Sequence, residues 1–463
     1  MDDIKVVNPF DLKTIEKLKY ISESQLTKHI DDARGIVADK KKWIPKYERI
    51  EILKNLKELI IKNKQDLVQT AVLEGGKPFK DSLVEIERGV EGVDIAMEEL
   101  KSLAGSEIPM NISRSSSQRM AITFHRPRGM VTAISAFNHP FNLIIHQVIP
   151  AVAAGCPVLV KPALSTPLSC RNIVELLYQA GLDKKYCRMV LCPDNLAQKL
   201  VENPGNSFLS FIGSGKVGWF LRSRLPAGAH CALEHGGVAP VIVDETADLE
   251  NCIEAVVKGG YYHAGQVCVS VQRIYVQQSI KEKFVEKFLQ GVKKLKTADP
   301  LKKDTDVGPL IMPREVDRVD KWVKEAIDKG ASCKLGGKKI SDTLYAPTVL
   351  MDVPPNSTIA RNEIFGPVTI IQGYKDFSEA IDRANNVDYA FQAGVFTKNL
   401  DRAMQAAQSL EGLAIMINDH TAFRVDWMPF GGYKKSGLGV GGIGHTIKDL
   451  SIEKMVVIKS ADL

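Results

Sequence analysis

The chain has 463 residues, enough for two or three domains with substantial hydrophobic cores. Its composition, 44% hydrophobic and 25% charged, is that of an ordinary globular protein. The net charge of +6 is spread along the chain without an arginine-rich or aromatic-interleaved basic stripe, which argues against nucleic acid as the main partner. The eight cysteines show no CxxC pair and no metal-ligand spacing, so no metal is expected. The polar N-terminus and the absence of a long apolar run predict a protein of the reducing cytoplasm that does not enter the membrane.

The first hundred residues show helical periodicity. Apolar residues recur at i, i+3, i+4 and i+7 spacing, so residues 22–104 are predicted to be helical. From about residue 128, short β-branched runs alternate with helical stretches: 130–136 with 142–155, 158–160 with 168–179, 188–192 with a short helix, 207–212 with 216–223, then the strand 229–233. Repeated βα units of this size predict a parallel, doubly wound sheet that binds ligands at the carboxyl ends of its strands.

A second α/β pattern runs from residue 241 to about 445, with strands predicted at 241–243, 273–276 and 368–372. Two further segments, 116–124 and 454–459, look like exposed strands. An unpaired strand edge needs cover. We therefore expect these two segments to pair across the subunit boundary of a homo-oligomer.

Two side chains are candidates for nucleophilic chemistry. Cys268 lies in a glycine-bordered loop, and a thiolate is the most nucleophilic side chain near neutral pH. Glu234 ends an apolar strand and precedes two glycines, where burial would raise its pKa toward the value that a general base requires. A buried small hydrophobe is the commoner role of a cysteine. Together the two residues indicate chemistry through a covalent acyl or thiohemiacetal intermediate.

A glycine motif has two interpretations. Gly213–Gly218 match G-x-G-x-x-G after a predicted strand and at the start of a helix, which is the context of a dinucleotide-binding fingerprint. Glu234 lies 21 residues after Gly213, where that fingerprint places a ribose-binding acid. Glu234 is therefore either a ribose ligand or a catalytic base, and the motif itself could also be a glycine-rich turn without a ligand.

Seven segments in their order along the chain resemble the aldehyde dehydrogenase superfamily, over nearly the whole length: 136–142, 160–163, 211–214, 233–237, 265–268, 362–367 and 429–437. The resemblance implies an α/β fold with a Rossmann-like cofactor domain (1–110 and 129–236), an α/β catalytic domain (237–447) and a small β oligomerisation flap (111–128 and 448–463). It also implies a homodimer or a dimer of dimers, and oxidation of a small-molecule aldehyde to a carboxylic acid with NAD(P)+.

The resemblance assigns three catalytic roles. Cys268, as a thiolate, attacks the aldehyde; the amide of Asn138 and the backbone N–H of Cys268 hold the oxyanion; and Glu234 activates the water that hydrolyses the thioester. The presence of Glu234 favours hydrolysis over transfer of the acyl group to coenzyme A. A coenzyme A-acylating enzyme, a cysteine hydrolase and a catalytically silent structural or binding protein remain as alternatives.

The resemblance also implies cofactor contacts, among them Lys161 to the adenosine ribose, Ser214 to the pyrophosphate and Glu363 to the nicotinamide ribose. The full predicted set is Ile134, Ala136, Phe137, Lys161, Ala163, Ser165, Gly213, Ser214, Val217, Glu234, Gly236, Glu363 and Phe365. Leu164 stands where NAD-preferring relatives often have a glutamate. Loss of that carboxylate removes a repulsion toward a 2′-phosphate, so we expect NADP to be used at least as well as NAD.

The predicted substrate tunnel departs from the family pattern. Phe137 stands where tryptophan is common and His139 where an aromatic residue is common, and residues 423–429 resemble the lactaldehyde and semialdehyde dehydrogenase branch. His139, Phe141 and Arg424 are the candidate substrate contacts. Arg424 either anchors a substrate carboxylate or phosphonate, or forms an ion pair with Asp426 or with a partner subunit. The sequence does not specify the aldehyde.

Overall fold

The computed structural model describes residues 3–463, and the N-terminal part of the chain is mainly helical. A β-hairpin is followed by four helices: β1 (Asp3–Val7), β2 (Thr14–Lys19), α1 (Glu23–Ala38), α2 (Lys46–Lys62), α3 (Lys64–Gly75) and α4 (Phe79–Ser102). Ser22 begins α1 with a capping box, because its side chain accepts from the N–H of Gln25 while the Gln25 side chain accepts from the N–H of Ser22. The predicted helical character of residues 22–104 is confirmed.

Alternating strands and helices follow, as predicted. In chain order they are β3 (Glu107–Ile108), β4 (Arg119–Pro127), β5 (Met130–Ile134), α5 (Asn142–Ala154), β6 (Val158–Lys161), α6 (Pro167–Gln179), β7 (Cys187–Met189), α7 (Asp194–Glu202), β8 (Asn206–Ile212), α8 (Gly215–Arg222) and β9 (His230–Glu234). Five of these strands form a parallel sheet in the order β9-β8-β5-β6-β7. The strand order reverses beside β5, which opens a crevice at the carboxyl ends of β5 and β8. The strand predicted at 188–192 is shorter and ends at Met189.

A second sheet forms the other half of the molecule. Its region contains β10 (Pro240–Val243), α9 (Leu249–Tyr261), β11 (Arg273–Gln277), α10 (Lys281–Lys293), α11 (Pro313–Asp328), β12 (Ser332–Leu335), β13 (Thr348–Met351), α12 (Thr358–Arg361), β14 (Val368–Tyr374), α13 (Phe377–Asn385), β15 (Tyr389–Ala390), β16 (Gln392–Phe396), α14 (Leu400–Ser409) and β17 (Ala414–Ile417). The seven-stranded order is β12-β13-β14-β11-β10-β16-β17, parallel except for β12. Its inner strands, such as β10 and β13, are buried on both faces, as a helix-covered parallel sheet requires.

The C-terminal segment returns to the first unit through β18 (Tyr433–Lys434), β19 (Gly437–Leu438), α15 (Ile443–Asp449) and β20 (Ser451–Lys459). β19 pairs with β9 so that Gly437 lies opposite Glu234. Ile443 and Ile447 of α15 are fully buried in the core formed with α4 and α5. The apolar face of α15, which lies at the end of the predicted catalytic range 237–447, is therefore buried against helices of the first unit.

The two segments predicted to pair across a subunit boundary pair with each other within the chain. β20 runs antiparallel to β4 over nine residues, from Ser451 opposite Pro127 to Lys459 opposite Arg119, and β3 covers the other edge of β4. β3 lies within the range predicted for the cofactor domain. The outer edge of β20 has no partner strand within residues 3–463. Among the same residues, no helix combines the length and apolarity needed to cross a bilayer.

Candidate active site

A cavity of about 830 Å³ opens at the carboxyl ends of the parallel strands, where the sheet topology predicts a ligand site. Twelve of the thirteen residues predicted to contact a cofactor line it: Ile134, Ala136, Phe137, Lys161, Ala163, Gly213, Ser214, Val217, Glu234, Gly236, Glu363 and Phe365. Ser165 does not, because the turn in which the N–H of Thr166 donates to the carbonyl of Ala163 leads the chain away into α6. We call this space the cofactor cavity.

A charged pair lies at one end of the cofactor cavity. Lys161 ends β6, and its ammonium lies 3.6 Å from the carboxylate of Asp194, whose side chain is 96% exposed. At that distance the ion pair is not a hydrogen bond, so the Lys161 donors remain available to a ligand. Sequence reasoning missed Asp194, which stands at the start of α7.

Cys268 lies in the loop between α9 and β11, and the backbone is strained a few residues before it. His263 and Ala264 have φ of 48° and 55°, in the left-handed region that costs energy for residues other than glycine. The buried side chain of Gln266 holds the loop by donating to the carbonyls of His263 and Pro309, at 3.3 and 3.2 Å. Cys268 is only partly buried and faces the cofactor cavity.

Asn138 lies beside this loop. Its amide nitrogen donates to the carbonyl of Gln266 at 2.9 Å, and the side chain is almost fully buried. One of its two amide N–H groups remains for a second acceptor. Asn138 and Cys268 both line the cofactor cavity and a neighbouring cavity on the other side, so the structure brings the predicted oxyanion donor and nucleophile together.

A buried ion pair between Lys77 and Glu85 holds the backbone that follows Asn138. One carboxylate oxygen of Glu85 accepts from the backbone N–H groups of Phe141 and Asn142, at 3.0 and 2.9 Å. Its other oxygen pairs with the ammonium of Lys77, and neither side chain is exposed. The carboxylate thus satisfies N–H groups at the start of α5 that have no partner within the helix. Nothing in the sequence pattern of α4 indicated this role.

The predicted substrate contact Phe141 is wrong. Its side chain is fully buried in the helical core. The ring packs against Gly89 of α4, where an added Cβ would lie 2.4 Å from a ring carbon. The direction of this side chain depends on how α4 and α5 pack, which local sequence does not specify.

Two carboxyl groups face the nucleophile. Burial raises the pKa of Glu234 to about 7, and the charge of Arg424 opposes the rise. Burial raises the pKa of Glu363 to about 8, although the N–H of Gly237 donates to it at 3.2 Å. Glu363 lies so close to Gly236 that an added Cβ there would be 1.9 Å from a carboxyl oxygen, which explains the glycine. Glu234 lines both the cofactor cavity and the neighbouring cavity, and therefore reaches both sides of Cys268.

The surroundings of Cys268 favour its protonated form. Burial, followed by the nearby carboxyls of Glu234 and Glu363, raises the pKa of the Cys268 thiol well above its ordinary value. Attack as a thiolate therefore needs a base close to the sulfur. The thiol proton has to be accepted by a base when the sulfur attacks.

The second cavity, which we call the substrate cavity, has a volume of about 230 Å³. That is below the roughly 300–1,000 Å³ of pockets for drug-sized ligands, so it suits a short molecule. The predicted residues His139 and Arg424 line it, together with Arg88, His146 and Tyr262, which were not predicted.

Two guanidinium groups share one buried carboxylate at the wall of the substrate cavity. Arg88 binds Asp426 through two hydrogen bonds, at 2.5 and 3.2 Å, and His146 binds the same carboxylate at 2.8 Å. Burial alone would raise the pKa of Asp426, but the hydrogen bond from His146 and the charge of Arg88 lower it well below its usual range. Burial and the charge of Arg424 lower the pKa of His146, so this histidine is neutral at pH 7.

Arg424 is the less satisfied of the two arginines. Its Nε lies 3.6 Å from Asp426 and has no hydrogen-bond partner within the described part of the chain. Its Nη2 lies 3.4 Å from Nδ1 of His146, and its guanidinium lies 3.5 Å from the centroid of the Phe430 ring. Arg424 thus lies near Asp426, the partner that one sequence-based alternative gave it, and the same side chain also lines the substrate cavity.

The comparisons with known proteins agree with this geometry. Residues 1–456 match the model of the aldehyde dehydrogenase family. A 3-sulfolactaldehyde dehydrogenase of Priestia aryabhattai is 36% identical over 460 residues, 99% of this chain and 95% of that protein. A lactaldehyde dehydrogenase of Methanocaldococcus jannaschii is 36% identical over 466 residues, 99% and 97% of the two chains. The crystal structure of aldehyde dehydrogenase 21 from Physcomitrella patens, in complex with the reaction product succinate, superposes with a TM-score of 0.96 at 33% identity and covers 99% of this chain and 95% of that one.

Proposed function

The chain belongs to the aldehyde dehydrogenase family, and on this basis we propose that Cys268, Asn138 and Glu234 carry out its NAD(P)-dependent aldehyde oxidation by acylation and hydrolysis. The observation that supports the proposal most is their placement: all three line both the cofactor cavity and the substrate cavity. A carbonyl carbon at Cys268 is then reached from both sides.

In the first half-reaction the Cys268 sulfur bonds to the aldehyde carbon, and the S–H proton passes to a base. The ionised fraction of Glu234 is suited to accept it, because its pKa of about 7 matches neutral pH. The carbonyl oxygen takes the negative charge and is held by the free amide N–H of Asn138 and the backbone N–H of Cys268. Donors placed in this way are typically worth about 3–4 kcal/mol each.

The cofactor cavity fits a nicotinamide dinucleotide. Apolar side chains of Val217 and Phe220 remain exposed there for an adenine ring, Lys161 has free donors for the ribose or a phosphate, and Glu363 lies near Cys268 for the second ribose. Phe365 packs edge-on against Phe137 at 5.8 Å and forms a wall for the nicotinamide. When bound, NAD(P)+ accepts the hydride that leaves the carbon attached to Cys268.

In the second half-reaction the resulting thioester is hydrolysed. Once the proton taken from Cys268 has passed to solvent, Glu234 removes a proton from water and the water oxygen bonds to the acyl carbon. The C–S bond then breaks to release a carboxylic acid, and Glu234 returns the proton to the Cys268 sulfur. A carboxylate with a raised pKa holds and returns a proton near neutrality, as a general base must. Hydrolysis, and not transfer to coenzyme A, is therefore the proposed fate of the thioester.

NADP is proposed to be used at least as well as NAD. Leu164 supplies no carboxylate to repel a 2′-phosphate, and Lys161 supplies a cation. The exposed carboxylate of Asp194 lies in the same cavity and disfavours NADP, because it repels a 2′-phosphate. A glyceraldehyde-3-phosphate dehydrogenase GapN from Methanocaldococcus jannaschii, solved in complex with NADP, superposes with a TM-score of 0.94 at 34% identity, covering 99% of this chain and 100% of that one.

The substrate is proposed to be a short aldehyde with an anionic group. Arg88 and Arg424 contribute two positive charges to the substrate cavity, while Asp426 compensates one, and Arg424 keeps unpaired donors. A buried arginine in this state favours a carboxylate, sulfonate or phosphate. The sulfolactaldehyde and succinate named for the relatives carry such groups.

The chain is also proposed to form a homo-oligomer in the cytoplasm. The free edge of β20 and its exposed apolar residues Met455, Val456, Val457 and Ile458 offer a surface for a second copy. Eight free cysteines within residues 3–463 suit a reducing compartment.

A single-turnover experiment tests the mechanism. Protein mixed with NAD(P)+ and a carboxylate-bearing aldehyde should release one NAD(P)H per site in a fast phase, and an acyl-enzyme should be trapped on Cys268 by acid quench and mass spectrometry. Cys268→Ala should abolish both signals, whereas Cys333→Ala, at an exposed cysteine, should leave them unchanged. Acid formation without a trapped acyl group, or dehydrogenase turnover that survives Cys268→Ala, would contradict the mechanism.

A further inference from the structure

A polar pair lies in the substrate cavity beside the residues proposed to hold the reacting carbonyl. With the aldehyde carbon at Cys268 and its oxygen toward Asn138, the rest of the substrate extends into this cavity, which His139 and Tyr262 also line. His139 directly follows Asn138 in the chain, and Tyr262 precedes the strained loop that carries Cys268. The two residues therefore come from the two segments that hold the reacting carbonyl.

The pair is hydrogen-bonded and faces the cavity. The Tyr262 hydroxyl lies 3.3 Å from Nε2 of His139, and the two rings are tilted by 37° with centroids 6.0 Å apart. Both residues are half-buried and both line the substrate cavity. Nδ1 of His139 has no hydrogen-bond partner within residues 3–463. It is not fully buried, so it can contact a molecule in the cavity.

Both members are neutral at physiological pH. Burial lowers the pKa of His139 well below its ordinary value, and the charges of Lys77 and His263 act in the same direction. Burial raises the pKa of Tyr262 well above its ordinary value. A neutral imidazole offers one donor and one acceptor, and a phenol offers both, so the pair matches a neutral group that also donates and accepts.

A hydroxyl is the group with that character, whereas an ion would prefer the arginines. Arg88 and Arg424 supply the positive charge of the same cavity, so the neutral pair and the charged pair recognise different parts of one molecule. A wall made only of aromatic carbon would leave a substrate hydroxyl desolvated and unpaired, which disfavours its binding.

We propose that His139 and Tyr262 bind the hydroxyl on the carbon next to the aldehyde, and so make the protein selective for 2-hydroxyaldehydes. The inference rests on the proposed placement of the aldehyde between Cys268 and Asn138. It does not depend on the anionic group, because the hydroxyl and the anion contact different residues.

Two matched neutral substrates test the proposal. Lactaldehyde and propanal differ by the 2-hydroxyl alone, and kcat/KM for each is measured against the concentration of free, unhydrated aldehyde. The wild-type ratio of lactaldehyde to propanal should fall about tenfold or more in His139→Phe and in Tyr262→Phe, because each phenylalanine removes a hydrogen-bond partner of the hydroxyl. The ratio between variants cancels the greater intrinsic reactivity of a 2-hydroxyaldehyde.

Tyr261→Phe is the matched control. Tyr261 is the neighbouring tyrosine, but its hydroxyl is buried against the carbonyl of Thr348 and the side chain of Thr369, away from the cavity. This variant loses the same atom and should keep the wild-type ratio. If its ratio falls as far as that of Tyr262→Phe, the effect is general and the assignment is wrong.

The wild-type protein gives a second readout that needs no variant. The hydroxyl is on a chiral carbon, and a fixed pair of partners should favour one enantiomer of lactaldehyde by about tenfold. Equal kcat/KM for both enantiomers overturns the hydroxyl assignment. So does an unchanged ratio of lactaldehyde to propanal in both phenylalanine variants. If turnover still requires Cys268, the proposed mechanism is unaffected by either result. If Cys268→Ala turns over both aldehydes at the wild-type rate, the proposed mechanism and this inference fail together.

Discussion

Arg88 and Asp426 form a two-point ion pair, with hydrogen bonds of 2.5 and 3.2 Å, that joins α4 to the segment after the second sheet. Because Arg88 and His146 take the short contacts to Asp426, the second arginine at the cavity, Arg424, lies 3.6 Å from that carboxylate and its Nε has no hydrogen-bond partner in the described part of the chain. The position of Arg424 beside the reacting residues leads to the first prediction.

Arg424→Met should weaken binding of anionic aldehydes. KM for a carboxylate-bearing aldehyde such as succinic semialdehyde should rise by about 10- to 100-fold, since hydrogen bonds to charged groups are worth about 1.5–3 kcal/mol. KM for propanal should change little. Arg314→Met, at a side chain that is 78% exposed, is the control for loss of one positive charge. An equal rise in KM for both aldehydes would show that Arg424 only maintains the cavity.

Glu234→Gln should slow both acylation and hydrolysis, because the same carboxylate is proposed to accept the proton in each step. The rate of the NAD(P)H burst and the steady-state rate should each fall by about 10²- to 10⁴-fold, the usual contribution of a general base. Rapid mixing measures the burst rate, and initial rates measure the steady state. A burst rate equal to that of the wild type, beside a lower steady-state rate, would restrict Glu234 to hydrolysis.

The pH profile follows from the same group. Glu234 acts in its ionised form, and its pKa is raised to about 7. The hydrolytic rate should therefore rise as pH increases through about 7 and level off above it. The residual steady rate of Glu234→Gln should lack this rise. An acid limb that persists unchanged in the variant would belong to another group.

Breaking the buried pair under α5 should destabilise the protein. Glu85→Gln leaves the ammonium of Lys77 buried without its carboxylate, which typically costs about 3–5 kcal/mol of unfolding free energy. The double variant Lys77→Met/Glu85→Gln should recover part of that loss, because no uncompensated charge remains. Urea unfolding of the three proteins measures this. If the single and double variants are equally unstable, the hydrogen bonds to α5 and not the charge pair dominate.

Cofactor preference should respond to the two charges at the end of the cofactor cavity. Lys161→Met should lower kcat/KM for NADP about tenfold more than for NAD, because a hydrogen bond from a charged group to the phosphate is lost. Asp194→Asn should raise kcat/KM for NADP about tenfold, because the repulsion between its carboxylate and the phosphate is relieved. Initial rates with both cofactors at one ionic strength test this. A wild-type ratio that strongly favours NAD would contradict the expectation from Leu164.

A charge on the free strand should reduce assembly. Val457→Lys places an ammonium in the exposed apolar row of β20, and charged edge residues oppose strand pairing. Light scattering after size exclusion should then show a smaller species than wild type. Leu400→Lys, at an exposed leucine on α14, is the matched control and should not change the mass. A wild-type monomer would contradict the proposed oligomer.

Local pattern was sufficient for much of the fold and for the reacting residues. The βα alternation, the glycine motif and the candidates Cys268 and Glu234 follow from short segments, because helical periodicity, strand propensity and glycine requirements act over a few residues. Asn138 was predicted only from the resemblance of residues 136–142 to the family. Twelve of the thirteen predicted cofactor contacts line one cavity, since parallel strands bring their carboxyl ends to the same edge.

Tertiary structure alone decided the features that depend on distant partners. Arg88 and Asp426 are 338 residues apart, and no local signal marks either as a neighbour of the other. The same holds for the inward direction of Phe141, which the packing of α4 determines, and for α15, whose apolar face could have been buried against either unit. Burial, in turn, sets the protonation of Cys268 and Glu234. Sequence therefore determined which chemical groups this protein has, and packing determined the charge and the neighbours with which they act.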